Sequence, residues 1–263
     1  MAKFVRHDVE DGIAIVTLNN PPLNLVTIAL IEELQATLDE LRDNDEVGAV
    51  IVTASGQKCF CAGSDIKEFP ELYQQNNLIE RKLRPENEAF STLAEFPKPT
   101  IAAVNGLAFG GGLEIVACCD LIVAEAHATL ALPEISLGTF PGSGGTFRVT
   151  QRIGIGRAKR MMYFGEPISA VRAYDWGLVD YLVESGESLA EAKQLARVLR
   201  ERPRNSFAIC KRLIADAYRL DNQESVDAVL RYSEEAFHHK NAREGISAFF
   251  EKRAPRFNRD GES

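Results

Sequence analysis

The alternation of apolar and polar positions divides the chain into a mixed front and a helical back. Residues 13–18 (Ile-Ala-Ile-Val-Thr-Leu) form a short apolar, β-branched run that stops at Asn19-Asn20-Pro21-Pro22. This predicts a strand closed by a turn. After Thr27 the period lengthens. Leu30, Leu34, Leu38 and Leu41 recur at helical spacing, so a helix is predicted to about residue 43, capped by Thr27 and ended by Asp43-Asn44-Asp45. Residues 47–53 are apolar without alternation, the mark of a strand buried on both faces. Residues 100–104 and 120–124 read the same way.

Between these strands the text is more varied. Ser55-Gly56-Gln57-Lys58 is a turn, and residues 59–64 lead into a short helix at 65–68. Residues 70–90 are polar and mixed, and predict a loop followed by a helix that ends at Pro97-Lys98-Pro99. A helix is predicted at 112–119, and a longer one at 146–164 that Gly154 and Gly156 interrupt. Beyond about residue 188 only helical periods remain, at 188–202, 205–219 and 222–239, followed by a tail. Strand–helix alternation followed by helices alone predicts an α/β core over residues 1–195 and a C-terminal helical region over residues 196–263. No repeat of fixed period and no low-complexity segment appears.

Length and composition agree with this outline. The chain has 263 residues, 45% of them hydrophobic and 26% charged, enough for a sizeable core. Its formal charge of −8 argues against a general nucleic-acid binder, which needs a basic face. No apolar run reaches membrane-spanning length, and the first residues show neither a secretory nor a transit pattern. The five cysteines lack Cys-x-x-Cys spacing and the histidines number four, so no metal constellation forms. Reduced thiols and a cytoplasmic location are the expectation.

The chemistry concentrates in one region, since eight of the 19 glycines lie between residues 106 and 145. Its centre is Asn105-Gly106-Leu-Ala-Phe-Gly110-Gly-Gly-Leu-Glu114. Three consecutive glycines join a strand to a helix there, and one carboxylate lies a turn inside an otherwise apolar helix. A helix N-terminus offers unpaired N–H groups and partial positive charge. Gly111 and Glu114 are three residues apart, so a backbone donor and a carboxylate share one face. An anion-stabilising donor beside an acid/base group suits enolate chemistry. A glycine-packed helix with one buried, satisfied glutamate reads the same residues equally well.

Other motifs are excluded. Ile115 stands where a dinucleotide fingerprint needs Gly or Ala, and no P-loop is present. Pro141-Gly142-Ser143-Gly144-Gly145 imitates a nucleophile elbow, but Pro141 occupies the first glycine position, so Ser143 is read as turn chemistry.

Taken together, several stretches resemble the enoyl-CoA hydratase/isomerase (crotonase) family over nearly the whole chain. They are Lys58-Cys-Phe-Cys-Ala-Gly-Ser-Asp-Ile-Lys-Glu68, Lys98-Pro-Thr-Ile-Ala-Ala-Val-Asn-Gly106, Ala108-Phe-Gly-Gly-Gly-Leu-Glu114, Pro133-Glu134, Gly138-Thr-Phe-Pro-Gly-Ser-Gly-Gly-Thr146, Gly177-Leu-Val-Asp180, Glu244-Gly245 and Ala248-Phe-Phe-Glu-Lys-Arg253. The resemblance implies a superhelical core of repeated ββα turns and C-terminal helices that build homotrimers, often paired into hexamers. It implies an acyl-CoA thioester substrate in fatty acid metabolism. Coenzyme A enters as part of that substrate, with no tightly bound cofactor, no metal, no nucleic acid and no membrane partner.

The family's site residues carry over by position. The two backbone donors of the oxyanion hole match Ser64 and Gly111. The two hydratase glutamates match Glu114 and Glu134, and Gly142 matches a backbone position that helps to hold water. Lys58 and Lys67 are candidates for the CoA phosphates, and Lys252 resembles a tail lysine that reaches CoA, in some members from a neighbouring subunit. Main-chain atoms of Ala62 and Ile66, and the ring of Phe249, are candidates for the adenine. Ser64 replaces a commoner alanine and adds a hydroxyl near the thioester, while Phe140 replaces a smaller aliphatic residue. The expected reaction is hydration of a trans-2-enoyl-CoA to a 3-hydroxyacyl-CoA. The alternatives are Δ3,Δ2-enoyl-CoA isomerisation, another acyl-CoA reaction of the family, or a non-catalytic or RNA-associated binding protein.

Overall fold

The structure, a computed structural model, describes residues 4–258. The chain opens with a hairpin, β1 (Val5–Glu10) and β2 (Ile13–Leu18), and passes into α1 (Ile28–Asp43). Thr27 caps α1 as its composition predicts, accepting a hydrogen bond from Leu30 N at 3.1 Å. Then follow β3 (Ala49–Ala54), β4 (Cys59–Cys61), α2 (Phe69–Gln74), a π-helical turn (Ile79–Leu83) and α3 (Arg84–Ala94). The central stretch is β5 (Thr100–Val104), β6 (Leu107–Phe109), α4 (Gly111–Cys118), β7 (Leu121–Glu125) and β8 (Thr129–Ala131). It is followed by α5 (Gly145–Phe164), β9 (Ile168–Ser169), α6 (Ala170–Trp176) and β10 (Tyr181–Val183). Four helices complete the chain: α7 (Ser188–Arg200), α8 (Arg204–Asp216), α9 (Asn222–His238) and α10 (Lys240–Glu251).

The strands form two sheets. One has six strands in the order β1-β2-β3-β5-β7-β10, and the other four in the order β4-β6-β8-β9. From β3 to β8 the chain places one strand in each sheet per turn: β3 then β4, β5 then β6, β7 then β8. This is the repeated ββα spiral of a crotonase fold, with parallel pairing between successive turns.

The strands without alternation are covered on both faces. Val50, Val52, Ala102 and Val104 point into the main core with Leu30, Leu34, Phe90 and Leu93 of α1 and α3. Ala49, Ile51, Ile101, Ala103 and Val123 point the other way, against Ala192 and Ala196 of α7. The boundary expected at residue 195 therefore falls inside α7, and the helix that seals the sheet belongs to the core. Lys98, part of the family-like text, has a structural task. Its buried Nζ donates to Leu41 O at 2.6 Å and Asn44 O at 2.7 Å, closing the C-terminal end of α1.

The C-terminal part carries one helix more than the periodicity predicts. His239 ends α9 and its side chain accepts from Asn241 N, so the tail restarts as α10. The short elements β9, α6 and β10 were also beyond the sequence patterning. Gly154 does break α5, with a non-helical φ of 78°.

Candidate functional site

The small sheet builds the site. Cys61 pairs with Ala108, and Phe109 pairs with Ala131, so the C-terminal ends of β4, β6 and β8 lie side by side. The residues that follow these strands are therefore neighbours: Ala62-Gly63-Ser64, Gly110-Gly111 and Pro133-Glu134. Clefts at the carboxyl ends of parallel strands are the usual place for ligands in open α/β sheets.

Close approach at this corner depends on two glycines. A Cβ on Gly112 would collide with the carbonyl of Cys61, so α4 can pack onto β4 only with glycine there. Gly110 has a φ of 51°, and a Cβ on it would stand 3.1 Å from Glu134 Oε1. The carboxyl of Glu134 thus lies against the turn that opens α4.

Two backbone donors face this corner. Val26 forms a parallel bridge with Ser64: Val26 N donates to Gly63 O at 2.9 Å and Asp65 N donates to Val26 O at 3.0 Å. That pattern uses the groups on either side of Ser64 N–H and leaves the Ser64 donor outside the bridge. Gly111 is the first residue of α4, so its N–H lies outside the intrahelical ladder. The two segments touch, since a Cβ on Gly63 would stand 3.6 Å from Gly111 N.

Glu114 lies one turn into α4 and is buried. Its Oε1 accepts from Ser143 N and Gly145 N, both at 2.8 Å. Gly145 opens α5, so the carboxyl sits on a helix N-terminus, where negative charge is favoured. Burial outweighs this and pushes the carboxyl up to about 8, with Glu86 and Glu134 nearby adding to the rise. Glu134 is half-buried, and burial raises it as well, with Glu86 again contributing. Its Oε2 is buried without a hydrogen-bond partner. The site thus joins two backbone donors, one carboxyl anchored by two N–H groups and one carboxyl oxygen free to engage a ligand. Such a set can hold a developing oxyanion while moving a proton beside it.

The other predicted residues are more scattered. Gly142 precedes Ser143, and its carbonyl accepts from Asn87 Nδ2 at 3.0 Å. Ala62 donates its N–H to Leu23 O and is half-buried, while Ile66 and Lys67 are exposed just beyond Ser64. Lys58 is exposed in the turn before β4. Phe249 on α10 and Lys252 at its C-cap are both exposed, and α10 packs on α9. Phe140, beside the site, is also exposed.

The sequence pattern missed a third buried carboxylate, Glu86 of α3, and a buried ammonium, Lys82, one turn before it. Lys82 and Glu86 at i,i+4 in a polar stretch look like an ordinary solvated helix pair. Only the tertiary packing turns that face inward.

The fold is that of the crotonase class, a family that implies an acyl-CoA thioester substrate. A family model described as enoyl-CoA hydratase/isomerase matches residues 8–260. A probable enoyl-CoA hydratase from Bacillus subtilis is 35% identical over 252 residues, covering 95% of this chain and 96% of that protein. A short-chain-enoyl-CoA hydratase from Clostridium acetobutylicum is 35% identical and covered to 93% in both chains. The crystal structure of an enoyl-CoA hydratase from Bacillus anthracis has a TM-score of 0.90 at 32% identity, covering 97% of this chain and 98% of that one. The chain belongs to the enoyl-CoA hydratase/isomerase family. Among the described residues no helix is long and apolar enough to cross a membrane.

Proposed function

We propose that the protein hydrates trans-2-enoyl-CoA thioesters to 3-hydroxyacyl-CoA. The observation that carries this reading is the presence of both carboxyls, Glu114 and Glu134, at the corner where Ser64 and Gly111 present their backbone donors. The thioester oxygen lies between the two N–H groups and becomes the enolate oxygen as addition proceeds. Each donor contributes about 3 kcal/mol to that charge. Glu114, held by its two backbone bonds, positions the water, with Gly142 beside it. Glu134, with Oε2 unpartnered, stands beside the reacting carbons.

The proton count closes across the pair. Water oxygen adds to Cβ and its proton passes to the ionised carboxylate. The protonated carboxyl delivers its proton to Cα, and the pair leaves the step as protonated as it entered. Because the two carboxyls interact, their titration belongs to the pair. Lys58 and Lys67 supply cations for the CoA phosphates, and main-chain atoms of Ala62 and Ile66 the adenine contacts.

Phe249 and Lys252 reach the CoA of a neighbouring copy in a homotrimer or hexamer. The support is the exposed apolar side chains of the last three helices, among them Ile214, Val229, Leu230, Phe237 and Phe249. Sizing of the full chain tests this: a species of three or six copies is expected, falling to a monomer when the chain is cut near residue 200. An unchanged oligomer after the cut would refute that role for α8–α10.

The reaction is tested by the ultraviolet absorbance of the conjugated thioester on mixing with crotonyl-CoA. Rapid loss is expected in the parent, and a rate lower by about 10²–10⁴-fold in Glu134→Gln. Consumption of a 3-enoyl-CoA instead, with Glu114→Gln still fully active, would replace hydration by isomerisation.

A further inference from the structure

The site described so far uses two carboxyls, yet a third lies directly beneath it. Glu86 is 1% exposed on α3, and Lys82, equally buried, lies one turn earlier. The position of a Cβ on Gly111 is 3.5 Å from Glu86 Oε1 and 3.6 Å from Ser64 Oγ. Glu86 therefore sits against both segments that present backbone donors. A buried carboxylate is costly unless hydrogen-bonded or paired, so its partners show what holds it there.

Those partners come from both halves of the site. Ser143 Oγ donates to Glu86 Oε1 at 2.8 Å, and Ser64 Oγ lies 3.4 Å from each carboxyl oxygen. Ser143 is also the residue whose N–H holds Glu114. Lys82 Nζ is 3.8 Å from Glu86 Oε2, and it donates to Val26 O at 2.5 Å and to Glu68 Oε2 at 3.0 Å. Val26 is the bridge partner of Ser64.

The same helix grips the Ser143 turn at two more points. Asn87 Nδ2 donates to Gly142 O, and Ser91 Oγ accepts from Arg148, whose guanidinium also donates to Ser143 O. One helix thus ties the Ser64 strand end to the turn that fixes Glu114. The added hydroxyl of Ser64 is part of this tie.

We propose that Glu86 is a positioning residue that holds the Ser64 backbone donor and the Glu114 carboxyl in one rigid frame, with Lys82 seating it against the Val26–Ser64 bridge. The proposal rests on the reading that Ser64 and Gly111 hold a thioester oxygen. The charges that face Glu86 are Lys82 on its own side, Glu68 behind Lys82, and Glu114 and Glu134 across the site. Among the described residues Lys82 is the one ammonium bonded into this group, shared between Glu68 and Glu86. Burial raises Glu86, and Lys82 and the two serine hydroxyls oppose the rise. Rigid placement matters because small displacements of reacting groups cost about 10²-fold in rate.

The test uses two readouts on the full-length protein. One is steady-state turnover of crotonyl-CoA. The other is the absorption of bound 4-dimethylaminocinnamoyl-CoA, which moves to longer wavelength as its carbonyl is polarised by oxyanion donors. Glu86→Leu is expected to lower kcat by about 10–100-fold with KM within about threefold, and to lose at least half of the red shift. Glu86→Gln, whose amide oxygen still accepts from both serines, is expected to stay within about fivefold of the parent and to keep the shift.

If Glu86→Leu does not fold, Ser143→Ala decides. It removes one hydroxyl, with an expected loss of about 3–10-fold in kcat and a reduced shift. A folded Glu86→Leu with parental kcat and red shift would overturn the proposal. So would a lowered Tm with an unchanged shift, since that marks support of the fold alone. If the parent shifts the probe but hydrates nothing, the hydration reading falls and the shift still decides the role of Glu86. If the parent does not shift the bound probe, the oxyanion reading falls and the proposal with it.

Discussion

Replacing Glu114 by glutamine should change how stability depends on pH. Glu114 is 3% exposed, and its Oε1 receives two backbone N–H bonds. Glutamine keeps the shape and an oxygen to accept those bonds, but removes the titration. In the folded chain burial holds the carboxyl at about 8, against an ordinary value of 4.5. Between those two values the unfolded chain has released this proton while the folded chain still holds it. The unfolded state then binds fewer protons, so stability falls as pH rises through the window and levels off outside it.

A span of about 3.5 units, at 1.36 kcal/mol per unit, sets a ceiling of about 5 kcal/mol. Relaxation around the ionised group reduces it, and a change of about 2–5 kcal/mol is expected. Urea unfolding of both proteins at pH 5, 6, 7 and 8, at one protein concentration, measures it through the fluorescence of Trp176, the only tryptophan. The advantage of Glu114→Gln over the parent should grow steadily from pH 5 to pH 8. A difference that stays constant within about 0.5 kcal/mol across that range would refute the argument, because Glu114 would then not be titrating where burial places it.

Two further outcomes follow from the geometry. Gly110→Ala should lower kcat by about 10–100-fold with little change in KM, because its methyl would press on Glu134 Oε1 from a backbone conformation suited to glycine; steady-state kinetics with circular dichroism as a folding control measures this. Lys82→Met should destabilise the fold by about 3–5 kcal/mol in urea, since it strands Glu68 and Glu86 without their shared ammonium and leaves Val26 O with the Asp65 N–H alone; a loss below about 1 kcal/mol would show that the pair is dispensable.

Local patterns foretold the elements that depend on local forces. The leucine stripe of α1 and its Thr27 cap were readable because helical spacing and capping are properties of neighbouring residues. The buried strands β3, β5 and β7 were readable because coverage on both faces demands an unbroken apolar run. The restart at α10 was not, since it depends on His239 accepting from Asn241 N within a run that already read as helix and tail. The elements β9, α6 and β10 are too short to carry a period.

The site divides along the same line. The glycine run and Glu114 stood out through a local chemical signature, and the Pro133-Glu134 pair through its match to a family pattern alone. Glu86 and Lys82 did not, since an i,i+4 pair in a polar stretch carries the same sequence pattern whether it faces water or a core. The residues of this chain by themselves determined the longer strands and helices and the unpaired donor at Gly111, where α4 begins. The pairing of β4, β6 and β8 decided that Ser64, Gly111 and Glu134 would meet, and the packing of α3 decided that a third carboxylate would lie beneath them. Contacts between residues distant in sequence form only when the sheets and helices close around a common core, and the desolvation that raises these carboxyls exists only inside that core.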